Sequence, residues 1–397
     1  MWRPQVHRFV ISVMEAAFAM SAGVTCARSR FPDPVEGEWR EGRGRLTVRR
    51  GWRFLHLEGT PRDLGMQHGR LLGPLVRDTL REYLNAMAFW RGLGRKELLR
   101  RGRLLESYIP DRYREEMAAL AEGAEVPYED ILVAHTFLES VQAVACSCYA
   151  AYGGATNDGG VVFGRNLDFL SMGFAHRCGV VAFVKPDGGI PFVSASWAGW
   201  CGTLTAVNLS GLCLGLMNVP KLSRHTPGMP YAIMFRRMAQ ETATCAEAVE
   251  MLRATPRTFS NNIMLAQTTP VRRAVVAEYD VGGVAVREPA AGEEFIVSTN
   301  HFRKLGREQE RTDGSGPGRY ATLRREVAAR RGRLDHRMRL FADPAVHLPN
   351  SLHSMIVAPE RREFLLSMGR MPAGAGPYRA FSYGEEGIVE RIVQNAD

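Results

Sequence analysis

Cys146 and Cys148 stand at the start of one short apolar run, and Arg165 and Asp168 stand at the end of the next. The first run has strand character at Tyr149 and Ala151, and the second at Val161 and Phe163. Between them, Asn157-Asp158-Gly159 supplies a turn, because Asn and Asp tolerate left-handed φ and Gly adopts it freely. An antiparallel hairpin brings the end of its second strand back to the start of its first. A thiol, a guanidinium and a carboxylate can therefore meet, which is the company an activated nucleophile keeps. Strand alternation puts the two thiols on the same face.

A side-chain nucleophile usually works with a base. Of the ten histidines, His176, His301 and His353 lie downstream in segments with regular patterning. None has a surrounding motif like those of papain-like or caspase-like enzymes. At this point three readings stand: Cys146 as nucleophile, Cys148 as nucleophile, or two structural thiols. Arg165 and Asp168 read either as site residues or as an ion pair at a strand end.

The wider pattern resembles that of the N-terminal-nucleophile hydrolases, and most closely the acyl-coenzyme A:6-aminopenicillanic acid acyltransferase family (peptidase family C45). Choloylglycine hydrolases and acid ceramidase are relatives of that family. The relation Cys-x-x-Tyr-Ala followed by Ala-Thr-x-Asp-Gly fits it only with Cys146 first. Upstream, Leu57-Glu58-Gly59-Thr60-Pro61-Arg62-Asp63-Leu64-Gly65-Met66-Gln67-His68-Gly69 resembles the family's opening segment. Downstream, Gly215-Leu216-Met217-Asn218, Gly228-Met229-Pro230, Asn262 to Ala266, Glu278, Thr299-Asn300-His301 and Arg319 follow in the family's order. The resemblance covers roughly residues 50 to 385.

The resemblance implies a mechanism in which the chain supplies its own base. Self-cleavage at Ala145–Cys146 would leave Cys146 with a free α-amine, whose ordinary pKa is about 7.7 to 8.0. That suits general-base work near neutral pH. By the same resemblance, Asp168 orients the amine and Arg165 holds the local charge network. Asn300 is the first choice for the oxyanion donor, Asn218 the second and Asn262 the third; each also reads as a loop or capping residue. Arg319, in Gly318-Arg319-Tyr320, resembles the family's distal active-site arginine, and also reads as a helix-surface residue. One departure bears on the cut: the acyltransferase is cleaved after Gly, whereas Ala145 carries a Cβ that narrows the backbone's options. The implied enzyme cleaves non-peptide amide bonds, or transfers an acyl group from them or from acyl-CoA, through an acyl-thioester. It works without a cofactor. Processed, it would be a heterodimer of fragments 1–145 and 146–397. A different class is a non-catalytic member of the fold that binds an acylated ligand.

Composition fits this reading. With 397 residues, 45% apolar and 23% charged, the chain can bury a large core. The net charge of +9 is dispersed; its densest groups, Arg91 to Arg103 and Arg324 to Arg333, alternate with Glu, Leu and Ala as solvated helix faces do. No nucleic-acid motif accompanies it. Seven scattered cysteines in apolar runs suit free buried thiols, and none has partners at zinc-ligand spacing. The Gly-Gly pairs read as turns rather than nucleotide-binding loops. Residues 1–30 read as an extra N-terminal helix or extension of a cytoplasmic protein, or alternatively as a secretory signal. No later run has the length a membrane-spanning helix requires.

The elements that must position the site follow from periodicity. Apolar residues at three- and four-residue spacing from Gly65 to Trp90 predict a helix, with shorter ones at 111–122 and 128–139. Strands are expected near 146–152, 160–165, 179–185, 190–196, 203–208, 212–217, 263–267, 273–279, 294–298, 353–358 and 363–368. Helices are expected at 228–241, 245–254 and 318–330. Strand clusters separated by helices predict an α+β fold. The resemblance sharpens this to the four-layer αββα N-terminal-nucleophile hydrolase sandwich. The expected division is an N-terminal extension (1–45), a helical segment (46–145) and a catalytic segment (146–397), the last two forming one unit. Tyr149 and Trp197 read as core residues.

Overall fold

The computed structural model describes residues 31, 33–140, 145–219, 227–305 and 316–391, with the side chains of 87–91 and 140 excepted. Residues 1–30, with Cys26 and the segment weighed as a signal, lie outside that range.

Two sheets form the middle of the molecule. The larger has ten strands in the order β1 (Gly37–Glu41), β2 (Gly44–Arg49), β3 (Trp52–Gly59), β6 (Gly179–Pro186), β7 (Phe192–Trp197), β8 (Thr205–Asn208), β9 (Cys213–Asn218), β10 (Asn261–Gln267), β11 (Arg273–Tyr279) and β12 (Val284–Arg287). The smaller has seven, in the order β13 (Phe295–Ser298), β4 (Ala145–Gly153), β5 (Gly159–Asp168), β14 (Ser351–Ala358), β15 (Glu363–Met368), β16 (Arg379–Gly384) and β17 (Gly387–Arg391). Neighbouring strands are antiparallel except β3 and β6.

Side-chain alternation on β4 defines the layers. Cys146, Cys148 and Ala150 pack into the core between the sheets, whereas Tyr149 and Ala151 pack into a second core with Leu323 and Val327. Those last two belong to helix α7 (Gly316–Ala329), which covers the outer face of the smaller sheet. The larger sheet is covered by α1 (Pro61–Arg91), α5 (Tyr231–Glu241) and α6 (Cys245–Ala254). Helices α2 (Arg95–Glu106), α3 (Asp111–Ala124) and α4 (Tyr128–Thr136) pack beside α1. The order helix, sheet, sheet, helix is the expected αββα sandwich.

In the opening motif, Gly65 brings α1 against α3: a Cβ there would sit 2.1 Å from the Glu116 carbonyl oxygen. Helix α6 starts at a capping box, Thr244 accepting from the Glu247 amide while Glu247 caps in return.

The strand and helix expectations agree with the structure to within a few residues at most ends, and 273–279 and 363–368 coincide with β11 and β15. Strands β1 to β3, β12, β16 and β17, and helix α2, add to what periodicity indicated. The N-terminal segment thus contributes three strands to the larger sheet as well as its helices. The six cysteines among the described residues are free and buried. Among the described residues no helix is long and apolar enough to cross a membrane.

Candidate active site

The hairpin of β4 and β5 places Ala145 opposite Asp168, Cys146 opposite Leu167, and Cys148 opposite Arg165. Strand β14 continues the ladder, with His353 opposite Leu167. By alternation the site is split across the plane of the smaller sheet.

On the face toward the larger sheet lie Cys146, Cys148, Arg165 and His353. Arg165 is completely buried. Its Nη2 donates to Cys146 Sγ at 3.4 Å and to the Leu216 carbonyl at 2.9 Å, and its Nη1 meets His353 Nε2 at 3.0 Å. A guanidinium can only donate, so His353 Nε2 is an acceptor and the ring proton sits on Nδ1. Thr205 Oγ1 lies 2.8 Å from the same Nε2. Burial and the adjacent Arg165 charge push His353 well below its ordinary pKa, consistent with a neutral ring. His353 therefore serves Arg165, and its Nε2 is taken. Sequence reasoning weighed His353 only as a base for the thiol; its contact with Arg165 needs β14 beside β5, which local patterning does not reveal. His301 turns instead to Thr299 Oγ1 at 3.0 Å, and His176 to Ser171 Oγ at 2.7 Å.

Burial raises the Cys146 thiol above the ordinary cysteine range, with Arg165 pulling the other way. Cys148 is raised too, again by burial. Neither is poised as a thiolate by its surroundings.

On the other face and at the strand end lie Asp168, Asn300 and Arg319. The Cys146 peptide N–H donates to Asn300 Oδ1 at 2.6 Å. Arg319 Nη2 donates to the same oxygen at 2.8 Å, and Nη1 to the Cys146 carbonyl at 2.6 Å and Ser147 Oγ at 2.8 Å. Asn300 Nδ2 donates to the Asn218 carbonyl at 2.7 Å. Asn300 thus accepts from the Ala145–Cys146 amide, and its own donor is engaged elsewhere. Asn218 Nδ2 donates to Asn261 Oδ1 at 3.0 Å, and Asn218 Oδ1 meets no donor among the described residues. Asn262 donates to the carbonyls of Thr299 and His301 at 2.9 and 2.8 Å, flanking Asn300.

Asp168 is fully buried. Its Oδ1 accepts from Asn166 Nδ2 at 2.5 Å, while Oδ2 has no partner among the described residues. Burial pushes its pKa up to about 6, against the pull of Arg319.

An apolar cavity of about 80 Å³ lies between the N-terminal helices and the larger sheet, and reaches Cys146 only through that residue's neighbours. Leu167, opposite Cys146, and Leu216, whose carbonyl binds Arg165, form one end. Tyr83 and Phe137 from the N-terminal segment, and Trp197 and Trp200, form other walls. Trp197, expected in the core, is half-buried and lines this space.

Comparison with known proteins agrees with the motif reading. The sequence model of the acyl-coenzyme A:6-aminopenicillanic acid acyl-transferase family matches residues 155–345. This is the family to which the motifs pointed. An uncharacterized protein of Archaeoglobus fulgidus is 28% identical over 235 residues, covering 51% of this chain and 39% of its own length. Protein dcd1A of Dictyostelium discoideum is 32% identical over 167 residues, covering 40% and 38%. The chain thus spans well under half the length of either relative. Among solved structures, the Caenorhabditis elegans N-acylethanolamine-hydrolyzing acid amidase ortholog superposes with a TM-score of 0.44 at 18% identity, over 54% of this chain and 93% of that one.

Proposed function

We propose that the chain is a self-processing cysteine N-terminal-nucleophile amidohydrolase or acyltransferase that cleaves non-peptide amide bonds through an acyl-thioester on Cys146. The observation that carries this reading is the convergence on Cys146: its sulfur on the buried Arg165, its amide on Asn300, its carbonyl on Arg319. The match to an acyl-transferase family supports the same chemistry.

In processing, the Cys146 thiol adds to the Ala145 carbonyl. As the C–N bond breaks, the thiol proton passes to the leaving nitrogen, giving a thioester and a free α-amine on Cys146. Water then hydrolyses the thioester, freeing the Ala145 carboxylate and the thiol. In turnover, that amine takes the thiol proton and the thiolate attacks the substrate's amide carbonyl. The leaving amine collects the proton, and the acyl group stays on sulfur. Water, the default acceptor, completes hydrolysis; an amine in its place makes the reaction acyl transfer, and acyl-CoA is an alternative donor. Asn300 Oδ1 and Asp168 would orient the new amine, and Arg165 would stabilise developing charge on sulfur. Fragments 1–145 and 146–397 stay together because strands and helices of both share the cores.

The test is intact-mass spectrometry of the purified chain beside Cys146→Ala. Two fragments meeting at Ala145/Cys146, with the variant uncut, is the expected outcome. An uncut chain in both cases removes the free-amine mechanism. Rapid selective alkylation of Cys146 separates an enzyme from a ligand-binding relative.

A further inference from the structure

One wall of the apolar cavity is the connection between β7 and β8, in which Ala198, Gly199 and Trp200 face the space. Its backbone is suspended from two imidazoles of the N-terminal segment. The Gly199 N–H donates to Nε2 of His68, on α1, at 3.0 Å. Two residues on, the Cys201 N–H donates to Nε2 of His135, on α4, at 2.9 Å. His135 Nδ1 lies 2.7 Å from the Ile131 carbonyl. That carbonyl can only accept, so the ring is the neutral Nδ1–H tautomer and its Nε2 lone pair is free for Cys201. Both rings are almost wholly buried. Burial holds His68 down to about 3 and His135 to about 4, so both keep an acceptor at neutral pH. The third tie is Arg236 Nη1, which donates to the Cys201 carbonyl at 3.1 Å and is itself paired with the buried Glu116.

The chain between these anchors takes a turn that suits glycine. Gly199 has φ of +82°, and a Cβ there would stand 3.0 Å from Val76 Cγ1 of α1. The wall therefore touches the N-terminal segment by packing as well as by hydrogen bonds. None of these residues reaches the sulfur of Cys146.

We propose that His68 and His135 are positioning residues for acyl selection: by fixing the backbone of Gly199 and Cys201 they set the width of the cavity, and so which apolar acyl groups are accepted beside Cys146. This rests on the proposed function, in which the cavity receives the acyl half of the substrate. A buried N–H left without its acceptor is costly, enough to let the loop move. The opening motif ending Gln67-His68-Gly69 then has a task in specificity, and the fragment ahead of the cut contributes to selection after it.

The experiment uses the full chain carrying Cys146→Ala, titrated by calorimetry with hexanoate and dodecanoate as stand-ins for short and long acyl groups. Adding His68→Leu or His135→Leu is expected to change the ratio of the two Kd values by about tenfold. Adding His68→Gln or His135→Gln, which restores an oxygen acceptor, is expected to return the ratio toward that of the parent. Gly199→Ala disturbs the same wall without touching either ring and is expected to shift the ratio too, which covers a Leu variant that fails to fold. An unchanged ratio, an equal loss for both acids, or no binding by the parent would overturn the proposal. Alkylation of Cys146 in the chain that retains it tests the function separately. A shifted ratio with an inert Cys146 would sink the nucleophile and leave the wall assignment standing.

Discussion

The peptide N–H of Cys146 and the guanidinium of Arg319 both donate to one oxygen, Asn300 Oδ1, at 2.6 and 2.8 Å. That oxygen is fixed from behind, because Asn300 Nδ2 donates to the Asn218 carbonyl. The Ala145–Cys146 amide is thus held by a preset acceptor, which in the proposed mechanism would receive the amine after the cut. Asn300→Leu removes it without adding charge. Self-cleavage should slow roughly 10- to 100-fold, the kinetic equivalent of one lost buried hydrogen bond. The accumulation of fragments 1–145 and 146–397 by intact mass measures this. Cleavage at the parent rate would remove Asn300 from the mechanism.

Arg165 is a buried cation without a carboxylate among its hydrogen-bonded partners, which are a thiol, a carbonyl and a neutral imidazole. Arg165→Met should slow iodoacetamide labelling of Cys146, because the thiolate loses its nearest positive charge. Arg165→Lys should not restore the rate, since a single ammonium cannot span three acceptors fixed in a fork. The same change strands the Leu216 carbonyl and His353 Nε2, so a lower thermal midpoint is expected alongside. Equal labelling rates in parent and variants would refute the assignment.

How much of this was legible in the sequence follows from the range of each interaction. The β4–β5 hairpin is local, so the meeting of Cys146 with Arg165 and the alternation that separates Cys146 from Tyr149 could be read from patterning. Asn300 and Arg319 lie 154 and 173 residues from Cys146, and order along the chain, not periodicity, indicated them. The task of Asn300 was less legible: which side of an amide faces the scissile bond depends on Asn218 and Arg319 arriving from other elements. Strands β2 and β3 were missed although Leu46 and Val48, then Leu55 and Leu57, alternate as buried residues. Their outward partners include Thr47, Phe54 and His56, so a half-buried face blurred the contrast. The contacts of His353, His68 and His135 were not legible, although His353 was weighed as a base, because each acts on a backbone or side chain distant in sequence.

The pH dependence of stability should carry a signature of Asp168. Its pKa rises from the ordinary carboxylate range to about 6 because it is buried. Between pH 4 and 6 the folded chain therefore holds a proton that the unfolded chain has released, and stability falls as pH rises through this window. Two units correspond to about 3 kcal/mol, lost by pH 6 and flat above. Asp168→Asn should erase this slope and, at pH 7.5, unfold at higher urea than the parent while losing activity. Urea midpoints at pH 4.5 and 7.5 for both proteins give the difference; parallel behaviour would contradict the buried, proton-binding carboxyl.

Glu278 and Asn262 face each other across β10 and β11 and together hold the loop that carries Asn300. Glu278 is fully buried, and its oxygens accept the backbone N–H groups of Arg303, Lys304 and Leu305 at 2.7 to 3.0 Å, with Arg287 Nε at 3.1 Å. Asn262 ties the carbonyls on either side of Asn300. The two therefore act on the chemistry only through Asn300. Glu278→Ala leaves three amides without their acceptor and strips the carboxylate from the largely buried Arg287, which keeps only the Val297 carbonyl, and should cost about 3 kcal/mol or more. Asn262→Leu frees two carbonyls but no charge, and should cost less while still slowing self-cleavage. Combined with Asn300→Leu, Asn262→Leu should add nothing further to the slowing, because the residue it positions is already gone. Additive effects on the cleavage rate in that double variant would show that Asn262 reaches the scissile bond by another route.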